Sequence, residues 1–110
     1  MCLFCKIVKK EIPASIVYED DKVLVFNDIS PQAPIHLLAI PKEHIAGIAE
    51  IKDSKIVGYL YKVMNKLARE RGIDKTGYRI VVNNGPDAGQ AVAHLHFHLL
   101  GGRAMHWPPG

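Results

Sequence analysis

The strongest constraint on this chain is the stretch His94-Leu95-His96-Phe97-His98-Leu99-Leu100, in which three of the six histidines alternate with apolar residues. A strand sends successive side chains to opposite faces, so His94, His96 and His98 share one face while Leu95, Phe97 and Leu99 share the other. Same-face neighbours stand roughly 6.5 to 7 Å apart, within reach of one small anionic group or one metal network. A helix of the same sequence would scatter them. A merely solvated sheet edge would need neither so scarce a residue three times over nor so complete an apolar alternation. The expectation is a strand over 94–100 with a chemical face and a core face.

The remaining 103 residues are enough for one domain spanning 1–110, long enough in total to bury roughly 60 to 65% of its unfolded surface. Hydrophobic residues make up 48% and charged residues 23%, a balance that belongs to globular chains and excludes a disordered one. A net charge of +3, with no basic run longer than Lys9-Lys10, argues against a nucleic-acid surface and leaves small anions as partners. No apolar run approaches the ~20 residues of a membrane span, and the first residues lack the order of a signal peptide. A cytoplasmic protein is expected, with no membrane partner.

Cys2-Leu3-Phe4-Cys5-Lys6-Ile7 opens a short helical segment that ends before Pro13. A single C-x-x-C fits half a zinc site, a redox pair or two small buried residues. Thioredoxin-like chemistry would place the pair after a strand, and none precedes it, which favours zinc. Ile16–Glu19 and Lys22–Phe26 flank Asp20-Asp21 as a hairpin. A turn-rich loop follows from Asn27 to Pro34; its acid, Asp28, is of the type that can accept both hydroxyls of a ribose, although loop acids more often cap a turn. Ile35–Ile40 is a strand carrying His36. An isolated histidine in an apolar strand is usually a core residue, so only the triad makes it a candidate.

Between Ser54 and Arg71 the apolar positions Ile56, Val57, Leu60, Val63, Met64, Leu67 and Ala68 recur at helical spacing, with Asp53 or Ser54 as cap and Gly72 as stop. Tyr78–Val82 reads as a fourth strand before the histidine strand. The loop Asn83–Gln90 between them carries glycines and is expected to expose backbone N–H groups as phosphate-binding nests do. The tail from Met105 to Gly110 is neither helix nor strand, and its Trp107 calls for a docking surface.

These residues together resemble the histidine triad (HIT) superfamily of nucleotide hydrolases and transferases. The triad signature is joined by Phe26-Asn27-Asp28-Ile29-Ser30-Pro31-Gln32-Ala33-Pro34, by Ile40-Pro41-Lys42-Glu43-His44, and by Gly101-Gly102-Arg103 with His106-Trp107-Pro108-Pro109-Gly110. These motifs are similar to the nucleotide-binding protein branch and span nearly the whole chain. The resemblance implies an α+β fold of HIT-like type, with an antiparallel sheet of about five strands, one long helix and a short N-terminal helix.

It also implies hydrolysis of purine nucleoside phosphoramidates of AMP type through a covalent nucleotidyl-histidine. His96 would be the nucleophile, His98 would contact the phosphate or leaving-group side, and His36 would complete the cluster. Nucleotide contacts would come from Phe26 and Ile29 at the base, Asp28 at the ribose, and Asn83, Gly89, Gln90 and His98 near the phosphate. Many relatives carry a serine where this chain has Ala91, so one hydroxyl donor is missing.

In cysteine-bearing relatives the pattern suggests a structural zinc on Cys2, Cys5, His44 and His94; two thiolates and two imidazoles close a tetrahedron with no vacancy for substrate. A homodimer is implied as well, its sheet continued across the interface and each tail reaching the neighbouring site. Two rivals stand beside this reading. One is a hydrolase with a catalytic zinc on His94, His96 and His98, although the outer two would lie ~13 Å apart on a straight strand. The other is a non-catalytic nucleotide-binding or zinc-stabilised adaptor.

Overall fold

Alternation along the strands builds two cores, one on each face of a single sheet. The computed structural model describes residues 1–110. Helix α1 spans Leu3–Val8; strands β1, Ile16–Glu19, and β2, Val23–Asn27, form the hairpin; β3 spans Ile35–Pro41. Helix α2 covers Lys55–Glu70, followed by β4, Tyr78–Val82, and β5, Phe97–Gly101. The sheet runs β1-β2-β3-β5-β4, antiparallel throughout. No helix is long and apolar enough to cross a membrane.

One face carries Val23, Val25, Leu37, Ala39, Leu95, Phe97 and Leu99 against Leu60, Val63, Met64, Leu67 and Ala68 of α2. The i, i+3, i+4, i+7 spacing of the helix positions makes this stripe continuous. The opposite face carries Leu24, Phe26, Leu38 and Ile40 against Phe4 and Ile7 of α1. β2 and β3 are covered on both sides, which is why their sequences are unbroken apolar runs. Asp20 secures the hairpin: its carboxylate accepts the N–H groups of Lys22 and Val23 and the hydroxyls of Tyr18 and Tyr59, the last tying α2 to the turn. Burial pushes its pKa upward, but these donors outweigh it and hold the group at about 2.

The histidine strand is shorter than its pattern. β5 begins at Phe97, so His94, Leu95 and His96 lie on the approach to the sheet, where Leu95 N–H donates to Ile45 O at 2.6 Å. The inside-outside alternation nevertheless holds across the boundary, since Leu95, Phe97 and Leu99 all enter the α2 core.

β5 ends against Ile73, where a Cβ built on Gly101 would meet Ile73 Cδ1 at 2.7 Å and Cβ at 3.0 Å. Gly101→Ala is expected to destabilise the protein by about 1–3 kcal/mol through this overpacking, read as a lower urea midpoint. An unchanged midpoint would show that Ile73 can move aside freely.

Candidate functional site

Register explains how His36 and His98 meet. β3 pairs with β5 so that His36 is opposite Leu100 and Leu38 is opposite His98, which makes the two histidines diagonal neighbours on one face. His36 Nε2 lies 2.9 Å from His98 Nδ1. The His96 and His98 ring centroids are 5.2 Å apart, and both His36 and His96 are buried.

Backbone partners determine which nitrogen of each ring carries the proton. Gln32 N–H donates to His36 Nδ1 at 3.0 Å, so a neutral His36 bears its proton on Nε2 and donates it to His98 Nδ1. His98 then keeps its own proton on Nε2. His96 Nδ1 lies 2.8 Å from the carbonyl oxygen of His94, to which it must donate, and this leaves Nε2 of His96 with a bare lone pair. Burial pushes the His36 pKa down, against a smaller opposing pull from Asp28. Burial also lowers His98, to about 4, with His96 and His36 adding to the effect. Both rings are therefore neutral at pH 7.

This has a consequence for stability. The depressed His98 disfavours proton uptake by the folded chain, whereas the unfolded histidine binds a proton below about pH 6.5. Stability is therefore fully present above that pH and falls as pH drops towards 4, by on the order of 2 kcal/mol at pH 4.5. Urea midpoints of the wild type and His98→Gln, compared at pH 7.5 and 4.5, isolate this contribution from other acid-labile groups. The wild-type advantage should shrink in acid; a difference independent of pH contradicts it.

A second cluster gathers Cys2, Cys5, His44 and His94 from three distant segments. The six separations among their two sulfurs and two Nδ1 atoms run from 3.2 to 3.6 Å. In a regular tetrahedron with such edges the centre lies roughly 2.0 to 2.2 Å from each corner, close to zinc–nitrogen and slightly short of zinc–sulfur bond lengths. His94 Nε2 lies 2.8 Å from Pro41 O and donates to it, which leaves Nδ1 free to ligate. Burial and the neighbouring Cys2 sulfur push the Cys5 thiol up, an effect a bound cation reverses. The donor set, tautomer and geometry all fit a closed structural zinc site.

His94 thus belongs to the thiol cluster while His98 is bonded to His36, so the three alternating histidines do not converge on one ion. Asp28 Oδ2 approaches His36 Nε2 at 3.4 Å beside His98. That trio is not a cation site, because the Gln32 N–H leaves the proton of His36 on the nitrogen that would have to ligate.

The remaining expected residues fall into two groups. Asp28 Oδ1 accepts the Ser30 N–H in a tight turn, which leaves lone pairs of the carboxylate open. Phe26 is buried, its ring 5.4 Å from that of Phe4, whereas Ile29 is 97% exposed. In the Asn83–Gln90 loop part of the hydrogen-bonding capacity is turned inward. Gln90 donates to Ala46 O and Val92 O and accepts from Gly85 N–H, while the N–H groups of Gly89 and Gln90 close turns onto Pro86 O and Gly85 O. The N–H groups of Gly85, Gly89 and Gln90 are thus used within the loop. β4 pairs Val82 with Phe97 in the last step of its ladder, so Asn83 and His96 directly follow and precede paired residues.

Sequence reasoning missed Phe4 and the backbone groups of Gln32, Pro41 and His94. Phe4 had one available signal, its place between the two cysteines. The backbone groups had none, since any residue type supplies them.

The HIT domain family matches this chain over residues 9–105. A 14 kDa zinc-binding protein of Zea mays is 52% identical over 112 residues, an alignment covering 98% of this chain and 87% of the relative. Among solved structures, a HIT family hydrolase from Legionella pneumophila superposes with a TM-score of 0.98 at 52% identity, with all of both chains covered. The histidine triad nucleotide-binding protein of Candida albicans gives a TM-score of 0.86 at 37% identity, covering 98% of this chain and 83% of that one. Shared sequence along the full length, the same fold and the histidine arrangement lead to one conclusion: the chain belongs to the HIT domain family.

Proposed function

We propose that the protein hydrolyses purine nucleoside phosphoramidates, such as adenosine 5′-phosphoramidate, through a nucleotidyl group carried on His96. The observation that carries this reading is the tautomer of His96: with Nδ1–H given to the His94 carbonyl, Nε2 offers a lone pair beside the His98 ring. A neutral imidazole in that state is a competent nucleophile. Nε2 forms a bond to the α-phosphorus as the P–N bond to the amine breaks, and the amine takes up a proton as it leaves. Water then displaces His96 and releases the nucleotide. Two displacements replace one difficult step.

His98 contributes its free Nε2–H. With its pKa held near 4 it is neutral and poorly suited to act as an imidazolium acid, so its role is to hydrogen-bond a phosphoryl oxygen as negative charge develops there. His36 orients it. For the nucleotide, Asp28 accepts the ribose hydroxyls and exposed Ile29 lies along the base with Phe26 behind it. Asn83 reaches the phosphate, while Gly89 and Gln90 shape the adjoining loop. Zinc at Cys2, Cys5, His44 and His94 supplies structural cross-linking when bound. Its need for two reduced thiolates is the reason to assign the cytoplasm.

The assembly we infer is a homodimer. β4 is an edge strand with apolar Tyr78, Ile80 and Val82 only half-buried, the kind of edge that pairs with a second copy. Arg79 on this strand donates to His106 O, which leads the tail along the same edge with Trp107 82% exposed.

Release of AMP from adenosine 5′-phosphoramidate tests the activity. Reduced but not abolished turnover after dialysis against a chelator is expected, since the metal site supports the His96 ring without touching the substrate. Nucleotide binding without turnover would replace the enzyme reading with the adaptor.

A further inference from the structure

We propose that Phe4 is a positioning residue for His96, and that the ligand cluster on either side of it holds it in place. The inference rests on the reading of His96 as the nucleophile. The Phe4 ring lies 5.2 Å from the His96 ring at 90°, 5.9 Å from His94 at 70° and 5.4 Å from Phe26 at 75°. His98 packs near His96 at 63°. The His96 imidazole therefore has one hydrogen bond, at Nδ1, and two ring neighbours that limit its rotation. A single hydrogen bond to a carbonyl leaves an imidazole free to rock about its Cβ–Cγ bond; perpendicular packing against an aromatic ring removes that freedom and keeps water from the ring.

Phe4 itself needs an anchor. α1 has only six residues, too few to be a stable helix alone, and it docks on the sheet through Phe4 and Ile7. Its other attachment is the quartet of Cys2 and Cys5 with His44 and His94. The two cysteines bracket Phe4 within one helical turn, so ligation of both sulfurs sets where the ring sits. The same quartet grips His94, whose carbonyl oxygen accepts the hydrogen bond from His96 Nδ1–H. Two routes thus run from the ligand cluster to the reacting ring, one through Phe4 and one through the backbone of His94.

The test is ring nitrogen NMR of His96 in the zinc-loaded wild type, the chelator-treated wild type and zinc-loaded Phe4→Leu, with steady-state kinetics alongside. The zinc-loaded wild type should show one tautomer, protonated at Nδ1. Chelation and Phe4→Leu should each produce a mixture of both tautomers. Phe4→Leu should keep its zinc and lose about 10-fold in kcat, with KM changed less than about twofold. Ile7→Val, which alters the same helix away from His96, should keep wild-type kcat. A single unchanged tautomer in Phe4→Leu and in the chelated wild type overturns the proposal, as does a rise in KM at constant kcat, which would make Phe4 a wall of the nucleotide pocket. The NMR arms decide the matter even if no phosphoramidate is turned over, in which case it is the hydrolase reading that fails.

Discussion

His96→Ala is expected to lower phosphoramidate turnover by about 10⁴-fold or more while leaving the fold and the zinc content intact. The ring is buried but rests in a polar cluster, and its loss removes the one imidazole among His36, His94, His96 and His98 whose Nε2 lone pair is left free by its hydrogen bonds. His98 Nδ1 accepts from His36, His36 Nδ1 accepts from the Gln32 N–H, and the Nδ1 of His94 faces the sulfurs. None of these can substitute for it. His98→Ala should be milder, about 10²- to 10³-fold, because it deletes one hydrogen-bond donor to the developing charge and leaves the covalent route open. His96→Gly with added imidazole should recover part of the lost turnover. Equal losses from His96→Ala and His98→Ala, with no rescue, would contradict the division of labour between them.

The second large effect is on stability. Cys5→Ser should reduce bound zinc from one ion per chain to near zero and destabilise the protein by about 3–5 kcal/mol, a fall in Tm of roughly 10–25 °C. This is well below the full binding energy of a structural zinc because the core packed on α2 contains none of the four ligands, whereas α1 and the segment leading into β5 carry three of them. The residual cluster would also hold an unpaired Cys2 sulfur against buried His94. Metal analysis with thermal unfolding of both proteins, each with and without chelator, checks this. A wild type whose Tm is indifferent to chelator would show that the four residues do not hold a stabilising metal.

How far the sequence was legible depends on which atoms do the work. The order of the five strands and two helices follows from side-chain periodicity, and the α2 stripe and the double-sided burial of β2 and β3 are its direct expression. The alternation of His94, His96 and His98 is real even though β5 starts only at Phe97, because burial of Leu95 in the α2 core enforces the pattern before sheet pairing begins. The quartet of Cys2, Cys5, His44 and His94 comes from segments far apart in sequence, and only likeness to a family joined them in advance. The tautomers were out of reach altogether. They depend on the carbonyls of His94 and Pro41 and the N–H of Gln32, which leave no trace in residue type. The Asn83–Gln90 loop is only partly legible for a related reason: its glycines and polar residues suit an anion nest, and residue type alone does not say that the Gln90 side chain turns back on the backbone with three hydrogen bonds.

The central claim is a covalent bond between the nucleotide and one particular nitrogen. Mixing the protein with adenosine 5′-phosphoramidate, quenching within the first turnover and locating any added mass by fragmentation tests it directly. The account predicts an adenylyl group on His96, absent from His96→Ala. Full turnover with no adduct at any time, or an adduct on His98 in place of His96, would contradict it.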